Sequence, residues 1–102
     1  MLSHIVLFEP RPESTPDAWD QLRDAVLDLP THISGICSVS WGMNESPEGL
    51  GQGYECGFVM VFEDEDARNA YLPHPAHTAI IPSIQAIAAR TLVFDLPSDD
   101  RT

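Results

Sequence analysis

The chain has 102 residues, of which five are arginine and 16 are Asp or Glu, so its formal net charge is −11 at pH 7. This balance argues against nucleic-acid binding, which needs cations to neutralise phosphates, and against anionic membrane surfaces. Lysine is absent, which excludes a Schiff-base nucleophile and a P-loop. The hydrophobic content of 43% is typical of a folded domain, and no apolar run approaches the length of a membrane span. With no signal peptide recognisable, we expect a cytoplasmic protein.

The first half of the chain predicts a strand, a helix and a second strand. Residues 3–8 (SHIVLF) are β-branched and aromatic, as strands are. Thr15 followed by Pro16 is a helix-start signal, and apolar residues recur at helical spacing up to Pro30, which we expect to end the helix. Residues 36–43 alternate and predict a strand. One face of it carries the larger side chains, Cys37, Val39, Trp41 and Met43.

The second half predicts a strand, two helical regions and a final strand. A loop rich in glycine and proline at 44–53 leads into a strand at 54–62. Its heavier face comprises Tyr54, Cys56, Phe58, Met60 and Phe62. Asp64 is placed to cap a short helix over 65–72, and a second helix over 76–89 is bent or restarted at Pro82. A strand at 90–96 follows, so we expect one domain over 1–97 and a frayed polar tail at 98–102.

The predicted order βαββαβ is that of an α+β, ferredoxin-like fold with a four-stranded antiparallel sheet and helices on one face. The uncovered face would carry aliphatic residues of the first and third strands. Its predicted members are Ser3, Ile5, Leu7, Gly57, Val59 and Val61. Because an exposed aliphatic face rarely stays bare, we predict that two copies pack sheet to sheet as a homodimer.

Candidate chemistry is concentrated at 71–77 (YLPHPAH), where one tyrosine and two histidines surround a proline-broken helix junction. Histidine titrates near neutral pH and can act as a general base, and a tyrosine hydroxyl can donate to a developing oxyanion. The alternative is structural: His74 caps the junction and His77 packs under the helix. Of the other histidines, His4 lies in the first strand, and His32 is expected to be exposed after the first helix.

Neither a metal nor a cofactor is expected. His74 and His77 are three residues apart, but the cysteines are not spaced to complete a zinc ligand set. Cys37 and Cys56 fall in apolar, strand-like runs, where we expect reduced, buried thiols. Their offset across the predicted hairpin exceeds the reach of a disulfide.

The stretch 46–77 (SPEGLGQGYECGFVMVFEDEDARNAYLPHPAH) resembles the stress-responsive A/B barrel (Dabb) family of dimeric α+β barrel proteins. The segments SHIVLF, SVSWGMN and TLVFDL resemble that family's first, second and last strands, so the resemblance covers nearly the whole chain. It implies a homodimer whose two sheets close into a barrel. It also implies a cavity between the sheet and the helices of each protomer.

The resemblance also implies roles for individual residues. The family's best-defined enzyme, the plant olivetolic acid cyclase, performs a cofactor-free aldol condensation with a histidine base and a tyrosine that polarises the substrate carbonyl. These positions match His77 and Tyr71, and a pocket histidine of the first strand matches His4. We assign substrate binding to three further residues, His74, Cys56 and Phe58. Cys56 stands where the plant enzyme has a histidine, so the shape and polarity of the pocket must differ.

The sequence leaves two main functions open. One is a homodimer of the A/B barrel type with a small apolar ligand cavity and no defined biochemical role. The other is a cofactor-independent cyclase or lyase that acts on an apolar carbonyl compound, with His77 as the base and Tyr71 as the enolate partner. A haem-degrading monooxygenase, another activity of the superfamily, is a third and more distant possibility.

Overall fold

A computed structural model of the chain describes residues 1–98, and within them four strands and four helices. Their order is β1 (Leu2–Pro10), α1 (Pro16–His32), β2 (Ile36–Met43), β3 (Cys56–Phe62), α2 (Glu65–Tyr71), α3 (Pro75–Thr78), α4 (Ile81–Ile87) and β4 (Ala88–Pro97). The strands form one antiparallel sheet in the order β2-β3-β1-β4. The predicted ferredoxin-like α+β fold is confirmed. Apart from its first residue, the predicted tail at 98–102 lies outside the described residues.

One face of the sheet packs against the helices and holds the hydrophobic core. Side chains alternate along β1 and β3, so every second residue points toward the helices. The buried core includes Leu2, Val6 and Phe8 from β1, Phe58, Met60 and Phe62 from β3, and Leu22, Val26 and Leu29 from α1. Each such side chain stabilises the fold by about 1.5–3 kcal/mol relative to its exposure to water.

The other face of the sheet is apolar, and no helix covers it in the described part of the chain. The register places Ile5 between Val59 and Phe94, and Leu7 between Gly57 and Leu92. On β4, Leu92 is 38%, Phe94 54% and Leu96 51% exposed. We call this surface the outer face; its apolar members are Ile5, Leu7, Val59, Val61, Leu92, Phe94 and Leu96. The uncovered aliphatic face expected from the sequence is therefore present.

Helix α1 begins as predicted and ends later. The Thr15 hydroxyl accepts a hydrogen bond from the backbone N–H of Ala18 at 3.2 Å, which confirms the predicted cap. The prediction that Pro30 ends the helix is wrong, because the helix runs to His32. A proline this close to the C-terminus removes only one backbone hydrogen bond, so the last turn can still form.

A β-bulge in β2 explains one wrong burial prediction. The register with β3 shifts between Ile36 and Ser38, so Cys37 lies at the irregularity. Its thiol is free and exposed, and it does not join the helix-facing side of the strand with Trp41. A bulge inserts one residue into the alternation, which moves every side chain on one side of it out of phase.

Other element boundaries also differ from the predictions. The strand β3 begins at Cys56, two residues after the predicted Tyr54. The region 76–89 contains two helices, and the predicted restart is confirmed because Pro82 lies in the first turn of α4. The last strand begins already at Ala88, within the predicted helix. No helix in the described range is long and apolar enough to span a membrane.

Candidate functional site

Tyr71 lies at the end of α2, packed against the sheet. Asp64 caps this helix by accepting a hydrogen bond from the N–H of Ala67 at 2.8 Å. The Tyr71 ring is 5.0 Å from the ring of Phe62, and the residue is 1% exposed. Burial raises the pKa of the Tyr71 hydroxyl well above its usual range, so the group is a neutral donor at physiological pH.

The Tyr71 hydroxyl donates to no other described residue. The side chain is part of the core, because the whole residue is only 1% exposed. A phenol placed in this way can hydrogen-bond an incoming carbonyl group.

His77 lies beside Tyr71 because of the proline-broken junction between α2 and α3. The ring centroids of the two residues are 4.2 Å apart. The Nδ1 atom of His77 is 2.9 Å from the carbonyl oxygen of Leu72, which can only accept a hydrogen bond. Nδ1 therefore carries a proton, and in the neutral imidazole the lone pair is on Nε2. His77 presents a free basic nitrogen next to a neutral phenol.

His74 has the structural role that the sequence offered as an alternative. Its Nδ1 accepts a hydrogen bond from the N–H of Ala76 at 3.0 Å and so caps the short helix α3. This cap fixes the start of the turn that carries His77. The other structural alternative, that His77 packs under the helix, is met only in part, since its ring is partly exposed.

His4 is buried in the helix-facing side of the sheet, where it is 4% exposed. Its Nδ1 is 2.6 Å from Oδ1 of Asp95, the residue opposite it on β4. The second carboxylate oxygen, Oδ2, accepts a hydrogen bond from Nη1 of Arg68 at 2.6 Å. Three aromatic rings surround the imidazole in edge-on or tilted geometry, with centroids 5.8–6.2 Å away: Phe58, Phe62 and Tyr71.

Asp95 remains a carboxylate at neutral pH. Its partial burial alone would raise its pKa, but the hydrogen bonds from His4 and Arg68 and the positive charge of Arg68 outweigh burial and lower it below the usual range. The anion in turn orients His4, because a carboxylate accepts from Nδ1–H and leaves Nε2 as the other ring nitrogen. The geometry is that of an Asp–His pair with an arginine on the far side of the carboxylate.

The fold brings together four of the six predicted site residues. Tyr71, His77, His4 and Phe58 form one chain of contacting rings on the helix-facing side of the sheet. His74 serves as a helix cap at its edge. Cys56 lies farther along β3, where burial and the negative charge of Glu55 raise the pKa of its thiol to about 11.

Two cavities define the surroundings of this cluster. One of about 630 Å³ lies at the hairpin end of the sheet, and its lining includes Cys56 and Phe58 but none of the three predicted catalytic residues. Another, of about 370 Å³, is lined in part by Asp64, Arg68 and Asp95. The space around Tyr71 is filled by packed rings, so any ligand there must displace part of the helical layer.

Sequence reasoning missed Asp95 and Arg68. A signal for Asp95 was available, since it is the only charged residue in the otherwise apolar strand segment TLVFDL. A carboxylate between apolar strand residues usually has a specific partner. Arg68 had no such signal, because it sits among charged residues on a short helix. Within residues 1–98, no group of three or more His, Cys, Asp or Glu side chains could hold a metal ion.

Comparison with known proteins identifies the family. Residues 2–98 match the model of the Stress responsive A/B Barrel Domain, Dabb. The chain belongs to the Dabb family. It is similar to the stress-response A/B barrel domain-containing protein HS1 of Arabidopsis thaliana, with 28% identity over 94 residues that cover 92% of this chain and 86% of HS1.

Two solved structures share the whole fold. The A. thaliana protein At3g17210 matches with a TM-score of 0.92 at 25% identity, covering 100% of this chain and 99% of that one. A dimeric ferredoxin-like protein of unknown function from Jannaschia matches with a TM-score of 0.86 at 28% identity, covering 95% and 98%. The resemblance stated from the sequence is confirmed by the family match, and one of the similar solved structures is described as a protein of unknown function.

Proposed function

We propose that this Dabb protein acts as a homodimer joined through its outer face. Three side chains of β4 leave large apolar surfaces in water, and β1 and β3 continue the same surface. An apolar patch of this kind on a soluble protein usually marks an interface. The similar protein from Jannaschia is described as dimeric, which supports the proposal.

Light scattering at micromolar concentration tests the dimer. We expect about twice the 11.3 kDa mass of one chain. Phe94→Glu places a charge at the centre of the outer face and should give a folded monomer, whereas Asp24→Lys on the exposed side of α1 should leave the mass unchanged. A monomeric wild-type protein would refute the proposal.

We propose that the protomer binds a small, uncharged carbonyl compound at Tyr71 and His77. The observation that carries this proposal is the pairing of a neutral, buried phenol with an imidazole whose Nδ1 is already engaged. The phenol can donate to a carbonyl oxygen while Nε2 accepts from a hydroxyl or an acidic C–H. The surrounding rings favour an apolar ligand body.

Entry of such a ligand requires movement of the thinly packed helical layer. Neither α3 nor α4 contains a fully buried side chain. Segments with few buried contacts open at low free energy compared with the core. The segment that carries His77 can therefore move away from Tyr71 and let a ligand between the rings.

A second candidate function is cofactor-free proton transfer, as a lyase or cyclase performs it. The observation that favours it is the fixed tautomer of His77, which leaves Nε2 available as a general base. The ring centroid of His77 is 4.2 Å from that of Tyr71, whose hydroxyl can donate to an oxyanion. In this mechanism Nε2 takes a carbon-bound proton, the electrons move onto the carbonyl oxygen, and the Tyr71 hydroxyl stabilises the enolate.

One probe, methyl hexyl ketone, separates the two functions. Binding should shift the NMR signals of residues around Tyr71, and these shifts should weaken in Tyr71→Phe. In deuterated water, proton transfer would replace the probe's α-protons with deuterium, so their NMR signals would fade in the presence of the wild-type protein. Proton transfer by His77 is established if this exchange stops in His77→Gln and continues in His32→Gln, the control at an exposed histidine. Binding without exchange supports the ligand-binding role, and no shift at millimolar probe would overturn both.

We also propose a cytoplasmic location. Both cysteines are free in the structure. Free thiols fit a reducing compartment, where disulfides are rare. Cell fractionation of the untagged protein, with detection by a specific antibody, would test this directly. Recovery of the protein with secreted proteins would contradict the proposal.

A further inference from the structure

Arg68 connects the helical layer to the buried end of the sheet. It lies on α2 one turn before Tyr71, and its Nη1 donates to Oδ2 of Asp95 at 2.6 Å. The other oxygen of this carboxylate is 2.6 Å from Nδ1 of His4. The three side chains therefore form one continuous relay, with the carboxylate between two nitrogen donors.

We propose that Arg68 is a positioning residue that keeps His4 in its neutral form with the proton on Nδ1. The inference deepens the proposed function, because it concerns the charge of a histidine that contacts Tyr71. Arg68 acts through Asp95 and does not itself touch the Tyr71–His77 pair.

The balance of charge around His4 gives the reason. The groups that face it are Asp95 from β4, Tyr71 from α2, and two phenylalanine rings from β3, so the only nearby anion is Asp95. Arg68 is always protonated and already balances that anion. A protonated His4 would then add a net positive charge to a buried site, which is unfavourable.

The alternative partners of Arg68 are too weak to change this balance. Its Nη2 also approaches Oε1 of Glu65 at 3.5 Å, but the Glu65 side chain is 76% exposed. An ion pair that is so exposed to water contributes little to the electrostatic balance or to stability. Arg68 and Asp95 are instead mostly buried and line the same cavity of about 370 Å³, so their pair separates His4 from solvent on that side.

Removal of Arg68 and removal of Asp95 should change the protonated fraction of His4 in opposite directions. Arg68→Gln leaves Asp95 with His4 as its only cationic partner, so the protonated fraction of His4 rises. Asp95→Asn removes the anion but keeps the arginine, so the protonated fraction of His4 falls. An effect of one nearby charge corresponds to about a tenfold change in the ratio of protonated to neutral His4 at a given pH.

The experiment is ¹⁵N NMR of the imidazole nitrogens in the full chain, with the His4 signals assigned through His4→Gln. In the wild type at pH 7 we expect a neutral ring with Nδ1 protonated. Arg68→Gln should raise the protonated fraction, Arg68→Lys should restore the wild-type ratio because it keeps the charge, and Glu65→Gln is the matched control that should change nothing. Arg68→Met, which keeps the aliphatic stem, is the second variant where Arg68→Gln does not fold.

The outcome is read without any ligand, so it is distinct from failure of the proposed function. His4 signals that are the same in wild type, Arg68→Gln and Arg68→Met would overturn the proposal, and so would an Asp95→Asn variant that changes His4 in the same direction as Arg68→Gln. A purely structural role of Arg68 would lower the melting temperature and leave the charge of His4 unchanged.

Discussion

Tyr71→Phe separates a structural role of Tyr71 from a functional one. The substitution removes only the hydroxyl, which forms no hydrogen bond with another described residue. No internal bond is lost and no cavity is created, since the ring still packs 5.0 Å from Phe62. We therefore expect the free energy of unfolding to change by no more than about 0.5 kcal/mol.

The same substitution should weaken ligand binding markedly. A hydrogen bond from the hydroxyl to a carbonyl contributes about 0.5–1.5 kcal/mol, so the Kd for methyl hexyl ketone should rise by up to about tenfold. If the site also transfers protons, the α-proton exchange rate should fall by about 10²–10³, because the enolate loses a hydrogen-bond donor. Urea denaturation and NMR titration measure the two effects on the same samples.

The matched control is the chain's other tyrosine. Tyr54 packs under Arg90, whose guanidinium carbon is 4.8 Å from the ring centroid. Tyr54→Phe should leave ketone binding unchanged. A Tyr71→Phe protein that is destabilised by about 2 kcal/mol or more, or that binds the ketone as well as wild type, would refute the reasoning.

Three further predictions concern the fold and its titrating groups. Because folding lowers the pKa of Asp95, its contribution to stability is present above the unfolded pKa of about 4 and is lost as the pH falls below it. Urea denaturation should therefore show a difference in unfolding free energy between wild type and Asp95→Asn that shrinks as the pH falls. Gly35→Ala should destabilise by about 2–4 kcal/mol, since φ is +89° and the new methyl lies 2.7 Å from Cβ of Ala67; adding Ala67→Gly should recover part of this loss, with thermal melts as the measurement. At pH 8 iodoacetamide should alkylate Cys37 and spare Cys56, whose thiol has a pKa of about 11, and mass spectrometry of the native protein would contradict this if both react equally.

The element order could be predicted from the sequence because its signals are local. The alternation along β1 and β3 sets which side chains face the helices, and this follows from strand geometry alone. The caps at Thr15 and Asp64 depend on a side chain and a backbone group three residues away. Such interactions operate within one turn, so a single segment of sequence contains all the information needed.

The wrong boundaries depend on contacts that no single segment contains. Cys37 lies at a register shift that is defined only by the pairing of β2 with β3. Tyr54 lies outside the strand, and its ring packs against Arg90, 36 positions along the chain, which also bonds the carbonyl of Gln52. Tertiary packing routinely overrides local propensity at the ends of elements, which is where these errors occur.

The candidate site divides along the same line. Tyr71, His74 and His77 lie within seven residues, and their chemistry is visible as a motif. The contact between His4 and Asp95 joins positions 91 apart in the chain, and only the sheet register brings them together. Residue types therefore predicted the imidazoles and the phenol, while the groups that control their charge required the fold.

The absence of lysine also has a consequence inside the molecule. Arg90 bonds both carboxylate oxygens of Glu9, through Nε at 3.0 Å and Nη2 at 3.2 Å, and lies over a tyrosine ring. Arg68 bonds the partly buried Asp95 and the exposed Glu65 from different nitrogens. A planar guanidinium can hold two partners at fixed angles, whereas an ammonium is a single point charge. In a chain with 16 acidic residues and five cations, arginine at position 68 thus keeps the carboxylate beside His4 paired while α2 remains attached to the sheet.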